Sequence, residues 1–212
     1  MTPFQFVETL RDLDFQNTFN PYSDRCTEHD HTEAPLHRRK LLLAILEVAA
    51  ESEIDSLWIG RDLGYRGGRR TGLALTDDVH LEKHAERWGV SVKKLTREIV
   101  AERTAAIVWN VLNQINASIF LWNVFPLHPH EPSDQFTNRA HNSRERNVGE
   151  ALLSELICLL KPRRLIPIGN NAALAVSRLC KKQEVFKIRH PSYGGQNKFL
   201  KQTCEIYGLS KW

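Results

Sequence analysis

Four short apolar runs set the strongest limit on how this chain can fold. They occupy residues 56–59, 118–122, 165–168 and 185–188, and each is apolar on both faces rather than alternating. Strands with this pattern are typical of parallel sheets that helices cover on both sides. Longer segments with helical spacing separate the runs. The order therefore predicts an α/β fold, a three-layer α/β/α sandwich around a central four-stranded parallel sheet with right-handed crossovers.

Three helices are predicted from the spacing of apolar residues. One covers about residues 38–50, and a second covers about residues 96–114, with Thr96 as its expected N-cap. The third is marked by five apolar residues with helical spacing: Leu152, Leu153, Leu156, Ile157 and Leu160. A chain of 212 residues, 42% of them hydrophobic, is long enough for one core and short for two full domains. We therefore expect residues 1–212 to form a single domain.

Charge and targeting signals narrow the functional class only slightly. The formal net charge of +4 and the pI of about 8.9 favour an anionic partner. No apolar run reaches about 18 residues, and the first residues lack a basic region followed by an apolar stretch. We therefore expect neither a membrane span nor a secretion signal, and a cytoplasmic protein that acts as a monomer.

The residue types that commonly bind metals are scattered along the chain. The four cysteines, Cys26, Cys158, Cys180 and Cys204, form no Cys-x-x-Cys pair, so we expect reduced, mostly packed thiols. Two His-x-His pairs, at residues 29 and 31 and at residues 128 and 130, lie in polar or Pro-rich stretches and are interpreted as loop histidines. We expect no metal and no cofactor.

Polar residues follow all four predicted strands. The strands run, in chain order, into Gly60-Arg61-Asp62-Leu63-Gly64, Asn123, Gly169-Asn170-Asn171 and Arg189-His190-Pro191-Ser192. In open parallel sheets, ligands bind outside the carboxyl ends of the strands. A carboxylate, an amide and an imidazole are therefore predicted to converge at one rim.

Each of these residues also has a structural explanation. Asp62 could cap a turn, Asn123 could stabilise a loop, and His190 could be a buried imidazole with satisfied hydrogen bonds. The Gly-rich loop from Gly60 could instead cradle a nucleotide phosphate, but it lacks the Gly-Lys-Ser/Thr ending of a P-loop and the spacing of a Rossmann fingerprint. The irregular segment 125–144, with three prolines, follows a strand end, which favours a functional loop.

Three short motifs resemble those of the uracil-DNA glycosylases. Gly60-Arg61-Asp62-Leu63-Gly64-Tyr65, continued without a gap to Gly72-Leu73-Ala74-Leu75, is similar to G-Q-D-P-Y-H and G-L-A-F of the classical branch. Asn123 resembles the asparagine that closes the uracil-reading strand, and His190-Pro191-Ser192 resembles the H-P-S motif of the last strand. Gly64 and Asn138-Arg139 also resemble parts of the thermophile-type branch, whose cluster cysteines are absent here. The resemblance covers about residues 55–200.

The resemblance implies roles for these residues. Asp62 would position the attacking water beside the cationic sugar, and His190 would donate to uracil O2 as negative charge grows there. Asn123 would accept from N3–H and donate to O4, which discriminates against cytosine. The other substrate-binding residues would be Gly60, Arg61, Gly64, Tyr65 and Leu75. DNA contacts would come from Arg66, Arg69, Arg70, the backbone at Gly67-Gly68 and Pro191-Ser192, and a wedge chosen from Tyr193, Gln196 and Asn197.

The chain departs from the family patterns at three of these positions. Gly64 stands where the classical branch has a tyrosine that blocks the thymine methyl group, and Leu75 stands where that branch has a stacking phenylalanine. Stacking could come instead from Tyr65, Trp122 or Phe125. Arg61 stands where the thermophile-type branch has a glutamate, and it could bind a phosphate or pair with Asp62 when DNA is absent.

The leading functional hypothesis from the sequence is a glycosylase that removes uracil from DNA, leaves an abasic site and so initiates base excision repair. Its partner would be uracil-containing DNA. The departures at Gly64 and Leu75 also allow a glycosylase for hypoxanthine, xanthine or mismatched thymine. Two other classes are a DNA-binding homologue without activity, and a nucleotide-binding or metal-dependent enzyme that reached the same constellation by chance.

Overall fold

The computed structural model describes residues 1–179 and 183–210. The helices of these residues are α1 (Pro3–Arg11), α2 (Ala34–Ala50), α3 (Gly68–Thr71), α4 (Leu81–Glu86), α5 (Arg103–Leu112), α6 (Ser143–Leu160), α7 (Asn170–Leu179) and α8 (Gln196–Tyr207). The strands are β1 (Thr18–Phe19), β2 (Ser56–Asp62), β3 (Ile119–Phe125), β4 (His128–Pro129), β5 (Arg164–Pro167) and β6 (Glu184–Val185).

Four of the strands form one parallel sheet, in the order β3-β2-β5-β6. In the pairing of β2 with β3, Gly60 lies opposite Asn123. An isolated parallel bridge between Ile168 and Ile188 continues the contact of the last two strands toward the carboxyl edge. The four-stranded parallel sheet predicted from the sequence is confirmed.

The two faces of the sheet carry separate hydrophobic clusters. Leu57 and Ile59 of β2 pack into a cluster formed mainly by α1, α2, α6 and α7. Trp58, which lies between them, packs into a second cluster with residues of α5 and α8. Side chains of a strand point alternately to opposite faces, so a strand that is apolar at every position needs a helical layer on each side. The predicted three-layer sandwich is therefore confirmed.

One helix approaches the sheet unusually closely. At Gly149 of α6, a Cβ atom would overlap the carbonyl oxygen of Val124 in β3. The absence of a side chain at this position lets α6 lie directly on the strand, and any larger residue would push the two apart. Among the described residues, no helix is long and apolar enough to cross a membrane.

The bounds of all four strands of the sheet differ from the prediction, those of β5 by only one residue at each end. β2 continues to Asp62 and β3 to Phe125, because these two residues pair with each other across the sheet. Asp62 and Asn123 therefore lie within strands and not after them. β6 is shorter than predicted and comprises only Glu184–Val185. It is the edge strand, and among the described strands only β5 provides it with a hydrogen-bonding partner.

The prediction of a helix from residue 96 is wrong at its start. Thr96 forms an antiparallel bridge with Asp30, and its hydroxyl group donates to the carbonyl oxygen of Glu98 at 3.0 Å. α5 begins only at Arg103, after Glu102, whose backbone N–H donates to Asp77 Oδ2 at 2.6 Å. Long-range partners thus hold residue 96 in an extended conformation that local spacing could not indicate.

The irregular segment 125–144 is fastened to the N-terminal region. β4 pairs antiparallel with β1, with Phe19 opposite His128. Arg139 donates to Glu145 Oε1 at 2.6 Å and to the carbonyl oxygen of Asn17 at 3.1 Å. These contacts hold the segment beside the carboxyl edge of β3.

The cysteines are mostly packed, as far as the structure describes them. Cys26 and Cys204 are buried, and Cys158 is exposed. Cys180, which was also expected to be a packed thiol, lies outside the described residues.

Candidate active site

A buried amide lies at the carboxyl edge of the sheet. Asn123 is 2% exposed and lies opposite Gly60. A Cβ atom on Gly60 would overlap Asn123 Oδ1 and lie 3.3 Å from Leu75 Cδ2, so only glycine leaves room for the amide. Within the described part of the chain, Oδ1 has no hydrogen-bond partner. Burying an unpaired acceptor costs about 1–3 kcal/mol. This cost indicates a place for a ligand that donates a hydrogen bond.

Leu75 forms a wall of the same site in a strained conformation. Its φ of 55° lies in the left-handed region, which is unfavourable for a side chain with a Cβ atom. The indole Nε1 of Trp109 donates to the Leu75 carbonyl oxygen at 3.1 Å and helps to hold this conformation. Strained residues persist where their surroundings fix them, and they cluster at functional sites. The structure thus brings together Gly60, Leu75 and Asn123, three of the residues expected to contact the base.

Both oxygens of the Asp62 carboxylate are engaged. Arg61 Nε donates to Oδ2 at 2.5 Å, which is the pairing considered from the sequence for the protein without DNA. His141 Nδ1 donates to Oδ1. The His141 ring packs edge-on against Phe125, with 6.2 Å between the ring centroids. The side chains of Arg61 and His141 therefore orient the Asp62 carboxylate, which does not cap a turn.

The imidazole of His190 has a defined tautomer. The backbone N–H of Ser192 donates to His190 Nδ1 at 3.2 Å, and the Ser192 hydroxyl group lies 2.7 Å from the same nitrogen. Because Nδ1 accepts, the ring proton of the neutral imidazole is on Nε2. Gly169, with a φ of 89°, leaves the space beside the ring: a Cβ atom there would lie 3.2 Å from His190 Cβ.

The charge state of His190 follows from its surroundings. Burial is the largest cause that lowers the pKa of His190 to about 4, and the positive charges of Arg61 and Arg189 lower it further. The ring is therefore neutral at pH 7 and can donate from Nε2. Arg61 acts on both groups, since it bonds to Asp62 and repels a proton on His190. The structure brings Asp62, Arg61 and His190 to one rim.

The loop after β2 is joined to the irregular segment. The backbone N–H of Tyr65 donates to Asn138 Oδ1 at 3.0 Å. Arg66 is exposed, and its Nε donates to the Tyr65 hydroxyl oxygen at 2.6 Å. Asn138, one of the residues that resembles the thermophile-type branch, therefore helps to shape the loop around Gly64 and Tyr65.

The prediction that Arg69 contacts DNA phosphates is wrong. Arg69 is 1% exposed, and its guanidinium carbon lies 3.9 Å from the centroid of the Phe19 ring. The guanidinium group also donates to Gln135 Oε1 at 3.1 Å. Arg70 is buried as well and pairs with Asp78 at 2.6 Å. Both side chains stabilise the fold from inside, so a basic run in the sequence does not form a basic surface here.

The backbone groups proposed for phosphate contacts are also occupied or buried. Gly68 is buried, and a Cβ atom there would overlap Leu63 Cδ2. The Gly67 N–H donates to the carbonyl oxygen of Gly64 at 3.2 Å. Pro191 has no N–H, and the N–H of Ser192 is used by His190. We therefore assign Ser192 to the orientation of His190 in place of a phosphate contact.

A carboxyl group that the sequence analysis did not identify lies against this loop. Glu102 Oε1 lies 2.9 Å from the place where a Cβ atom of Gly64 would be, and a Cβ atom on Gly67 would overlap Oε2. Burial, and then the negative charge of Asp77, raise the pKa of Glu102 to about 7. Glu102 is therefore a titratable group with a strongly shifted pKa beside the loop that follows Asp62.

Tyr193 projects from the rim after His190. It is 96% exposed and has a φ of 51°, followed by Gly194 with a φ of 71°. The other two wedge candidates, Gln196 and Asn197, lie in the first turn of α8. Of the three, only Tyr193 combines a large apolar ring with full exposure.

His141 and Glu102 were missed because neither follows a strand. His141 lies in the irregular segment three residues after Asn138, and Glu102 precedes α5. The sequence carries one signal for His141, its place in the irregular segment 125–144, whose length and position after a strand favour a functional loop.

One residue of the two His-x-His pairs, His128, lies in a strand. His128 lies in β4 and is buried, with Nε2 donating to the carbonyl oxygen of Thr137 at 2.8 Å, so its interpretation as a loop histidine is wrong. Burial and the charge of Arg69 lower its pKa to about 3. In residues 1–179 and 183–210, no group of three or more His, Cys, Asp or Glu side chains could hold a metal ion.

Comparisons with known proteins identify the family. A family model described as the uracil DNA glycosylase superfamily matches residues 51–207. Among solved structures, the chain is similar to the crystal structure of wild-type SMUG2 from Pedobacter heparinus, with 12% sequence identity, a TM-score of 0.64, and coverage of 98% of this chain and 96% of that chain. A search of curated proteins gave no significant match. The structural likeness shows a shared fold, and the family match spans well over half of the chain: the protein belongs to the uracil DNA glycosylase superfamily of DNA N-glycosylases.

Proposed function

We propose that the protein hydrolyses the N-glycosidic bond of uracil in DNA and leaves an abasic site, which initiates base excision repair. The observation that carries this proposal is the buried Asn123 amide, whose Oδ1 has no partner among the described residues. It lies at the rim that also holds Asp62 and His190. Such a site suits a base that presents an N–H beside a carbonyl group, as uracil does.

Asp62 suits the sugar side of the reaction. When the bond between C1′ and N1 breaks, its electron pair leaves with the base, and the sugar becomes oxocarbenium-like. A water oxygen then bonds to C1′, and the proton of this water moves to the carboxylate. His141 and Arg61 hold the two oxygens of Asp62 in place, so the carboxylate is preoriented for both roles. Arg61 would have to leave Oδ2 for that oxygen to meet the water.

His190 suits the base side of the reaction. Negative charge on the departing uracil grows at O2 and O4. A neutral imidazole that donates from Nε2 to O2 stabilises this charge without a proton transfer. The contacts of Ser192 with Nδ1 fix the tautomer that this donation requires.

Asn123 suits the discrimination between uracil and cytosine. Its Oδ1 accepts from uracil N3–H, and its amide nitrogen donates to O4. Cytosine has an acceptor at N3 and a donor at C4, so both pairs would be mismatched and buried. Sites that rely on hydrogen bonds of this kind reject such a base strongly.

Tyr193 and Arg66 suit the DNA side of the reaction. A base in duplex DNA reaches a buried pocket only after it leaves the stack, at a cost of a few kcal/mol. The exposed ring of Tyr193 can fill the gap that the base leaves, and the exposed Arg66 can contact a phosphate. Leu75 offers an aliphatic wall instead of an aromatic ring, and this keeps hypoxanthine and xanthine as second candidate substrates.

The proposal is tested with matched duplexes that contain one uracil, hypoxanthine or mismatched thymine, incubated with the protein in EDTA and then heated in alkali. We expect cleavage at uracil, and loss of this cleavage in Asp62→Asn while DNA binding is retained. Cleavage only at hypoxanthine or at mismatched thymine would identify that base, and not uracil, as the substrate. Binding without cleavage at any base would instead support the homologue without activity.

A further inference from the structure

Arg61 presents unused hydrogen-bond donors at the carboxyl edge of the sheet. Its side chain is 41% exposed, whereas the side chain of its partner Asp62 is 4% exposed. A guanidinium group has five N–H donors, and within the described part of the chain Arg61 uses one of them, the Nε–H that is bonded to Asp62 Oδ2. The two Nη groups are therefore available to a ligand that approaches the rim from solvent.

Arg189 provides a second exposed guanidinium group at the same edge. Its backbone N–H donates to Gln202 Oε1 at 2.8 Å, which holds the main chain before His190. Among the described residues, the guanidinium group itself has no hydrogen bond or ion pair. The positive charges of Arg61 and Arg189 both lower the pKa of His190, so both guanidinium groups lie within electrostatic reach of this ring.

The strand between the two arginines ends in a residue without a side chain. The Ile168 N–H, just after β5, donates to the Ile59 carbonyl oxygen at 2.8 Å, and Ile168 also forms a parallel bridge with the residue that precedes Arg189. Arg61 and Arg189 thus follow the same row of the sheet, on the two sides of Gly169. Strands separated by one neighbour lie about 10 Å apart, a gap that two arginine side chains can close around one anion.

We propose that Arg61 and Arg189 together bind one phosphate of the uracil-containing strand, and that this contact draws Arg61 away from Asp62 Oδ2. The inference rests on the proposed function and deepens it. In that function Asp62 lies by the sugar, and the phosphates attached to this sugar are the nearest anions of the substrate. Guanidinium groups bind a phosphate through paired N–H donors, which the free Nη groups provide.

The exchange of partners prepares Asp62 for the reaction. An ion pair with an exposed member is weak because water screens it, so a phosphate that a second arginine also holds can displace Asp62 from Arg61. Oδ2 is then free for the water that attacks C1′, while His141 still holds Oδ1. In the protein without DNA, the carboxylate stays paired with Arg61.

The test removes the charge of single phosphates. Dissociation constants are measured for duplexes with 2′-fluoro-2′-deoxyuridine, which resists cleavage because fluorine disfavours the cationic sugar. A neutral methylphosphonate replaces the phosphate on the 5′ or the 3′ side of this nucleotide. We expect one of the two replacements to weaken binding by the wild type roughly 10-fold. It should weaken binding by Arg61→Gln and Arg189→Gln about 3-fold or less, because the phosphate then has one guanidinium partner instead of two.

Lys187→Gln is the matched control. Lys187 is an exposed cation two residues before Arg189, and its charge is not among those that lower the pKa of His190. This variant should retain the full effect of the methylphosphonate. The nitrogen NMR resonance of Arg61 Nε follows the exchange of partners. It should shift when the wild type binds the duplex with intact phosphates, and shift less with the methylphosphonate duplex.

Two results would overturn the inference and leave the proposed function standing. One is a methylphosphonate effect that is absent at both positions, or that is equal in the wild type and either arginine variant, which would exclude the shared phosphate site. The other is an Arg61 Nε resonance that DNA leaves unchanged, which would exclude the release of Asp62. Absence of uracil excision from an ordinary duplex by the wild type would instead reject the proposed function itself.

Discussion

His141 Nδ1 donates a hydrogen bond to Oδ1 of Asp62 and thereby connects the irregular segment to the end of β2. The two residues are far apart in the sequence, and the bond fixes the rotation of the carboxylate at the rim. In the proposed mechanism, His141 is a positioning residue that acts through Asp62. Its side chain is mostly buried, as expected for a group that supports a reactive residue from behind.

Replacement of His141 should reduce the rate of base release without weakening DNA binding. In His141→Ala, we expect the single-turnover rate on uracil to fall by up to roughly 100-fold, because a misplaced carboxylate misdirects the water. His141→Asn keeps a donor near the place of Nδ1 and should retain more activity. Equal losses in the two variants, or a loss that appears only in the dissociation constant for DNA, would contradict a positioning role.

Removal of the charge of Arg61 should raise the pKa of His190. The positive charge of Arg61 is one cause of the lowered value of about 4, so Arg61→Gln should move it upward toward 6.5, with burial still holding it below that value. NMR titration of the His190 ring measures the shift. Arg189→Gln should give a change of the same sign, whereas an unchanged or lowered pKa of His190 in both variants would show that these positive charges do not lower it.

Tyr193 should matter for double-stranded DNA more than for single-stranded DNA. If its ring fills the gap left by the base, Tyr193→Ala should slow uracil release from a duplex roughly 10-fold or more, since extrusion costs a few kcal/mol. A single strand has no partner stack to disrupt, so the loss there should be small. Tyr193→Trp, which keeps a large ring, serves as the control. Equal losses on both substrates would argue against a wedge.

Glu102→Gln should stabilise the protein at high pH. The pKa of Glu102 is raised from an ordinary 4.5 to about 7, so the folded state holds the proton more tightly than the unfolded state. Stability contributed by this group is present below pH 4.5 and is lost as the pH rises through about 7. We expect Glu102→Gln to match the wild type at pH 5 and to exceed its free energy of unfolding by about 1–3 kcal/mol at pH 8. Urea denaturation at both values measures this, and an equal difference at both would refute it.

Replacement of Arg69 should affect the stability of the protein, whereas replacement of Arg66 should affect its binding to DNA. Arg69→Ala should lower the free energy of unfolding by about 2 kcal/mol or more, because it removes the buried contacts of the guanidinium group with Phe19 and Gln135. Arg66→Ala should leave unfolding unchanged, weaken DNA binding, and reduce the slope of binding against salt by about one phosphate contact. Weaker DNA binding by Arg69→Ala without a loss of stability would instead support a contact between Arg69 and DNA.

The fold and the central residues of the site could be predicted because they depend on local pattern. Runs that are apolar at every position require a parallel sheet with two helical layers, and residues at the strand ends then share a rim. Asp62, Asn123 and His190 follow from this rule together with the motifs that contain them. Their roles in the reaction stay predictions until the variants are measured, as do the single domain and the monomer.

The remaining parts of the site depend on contacts between distant segments. Arg69 stands in a basic run, yet the ring of Phe19, from a different part of the chain, covers it. His141 reaches Asp62 only because β4 pairs with β1 and turns the irregular segment toward the sheet. Glu102 reaches Gly64 because α5 begins later than its spacing indicates. No local pattern contains this information.

The close contact of α6 with β3 at Gly149 affects the depth at which the base would bind. Val124, whose carbonyl oxygen faces Gly149, is the next residue after Asn123. A side chain at position 149 would press on the strand from the rear and move the amide forward, which would make the pocket shallower. In the proposed mechanism, selectivity for the base is thus linked to a residue of α6 that packs behind the strand, so related chains could change substrate by substitutions on the opposite side of the sheet.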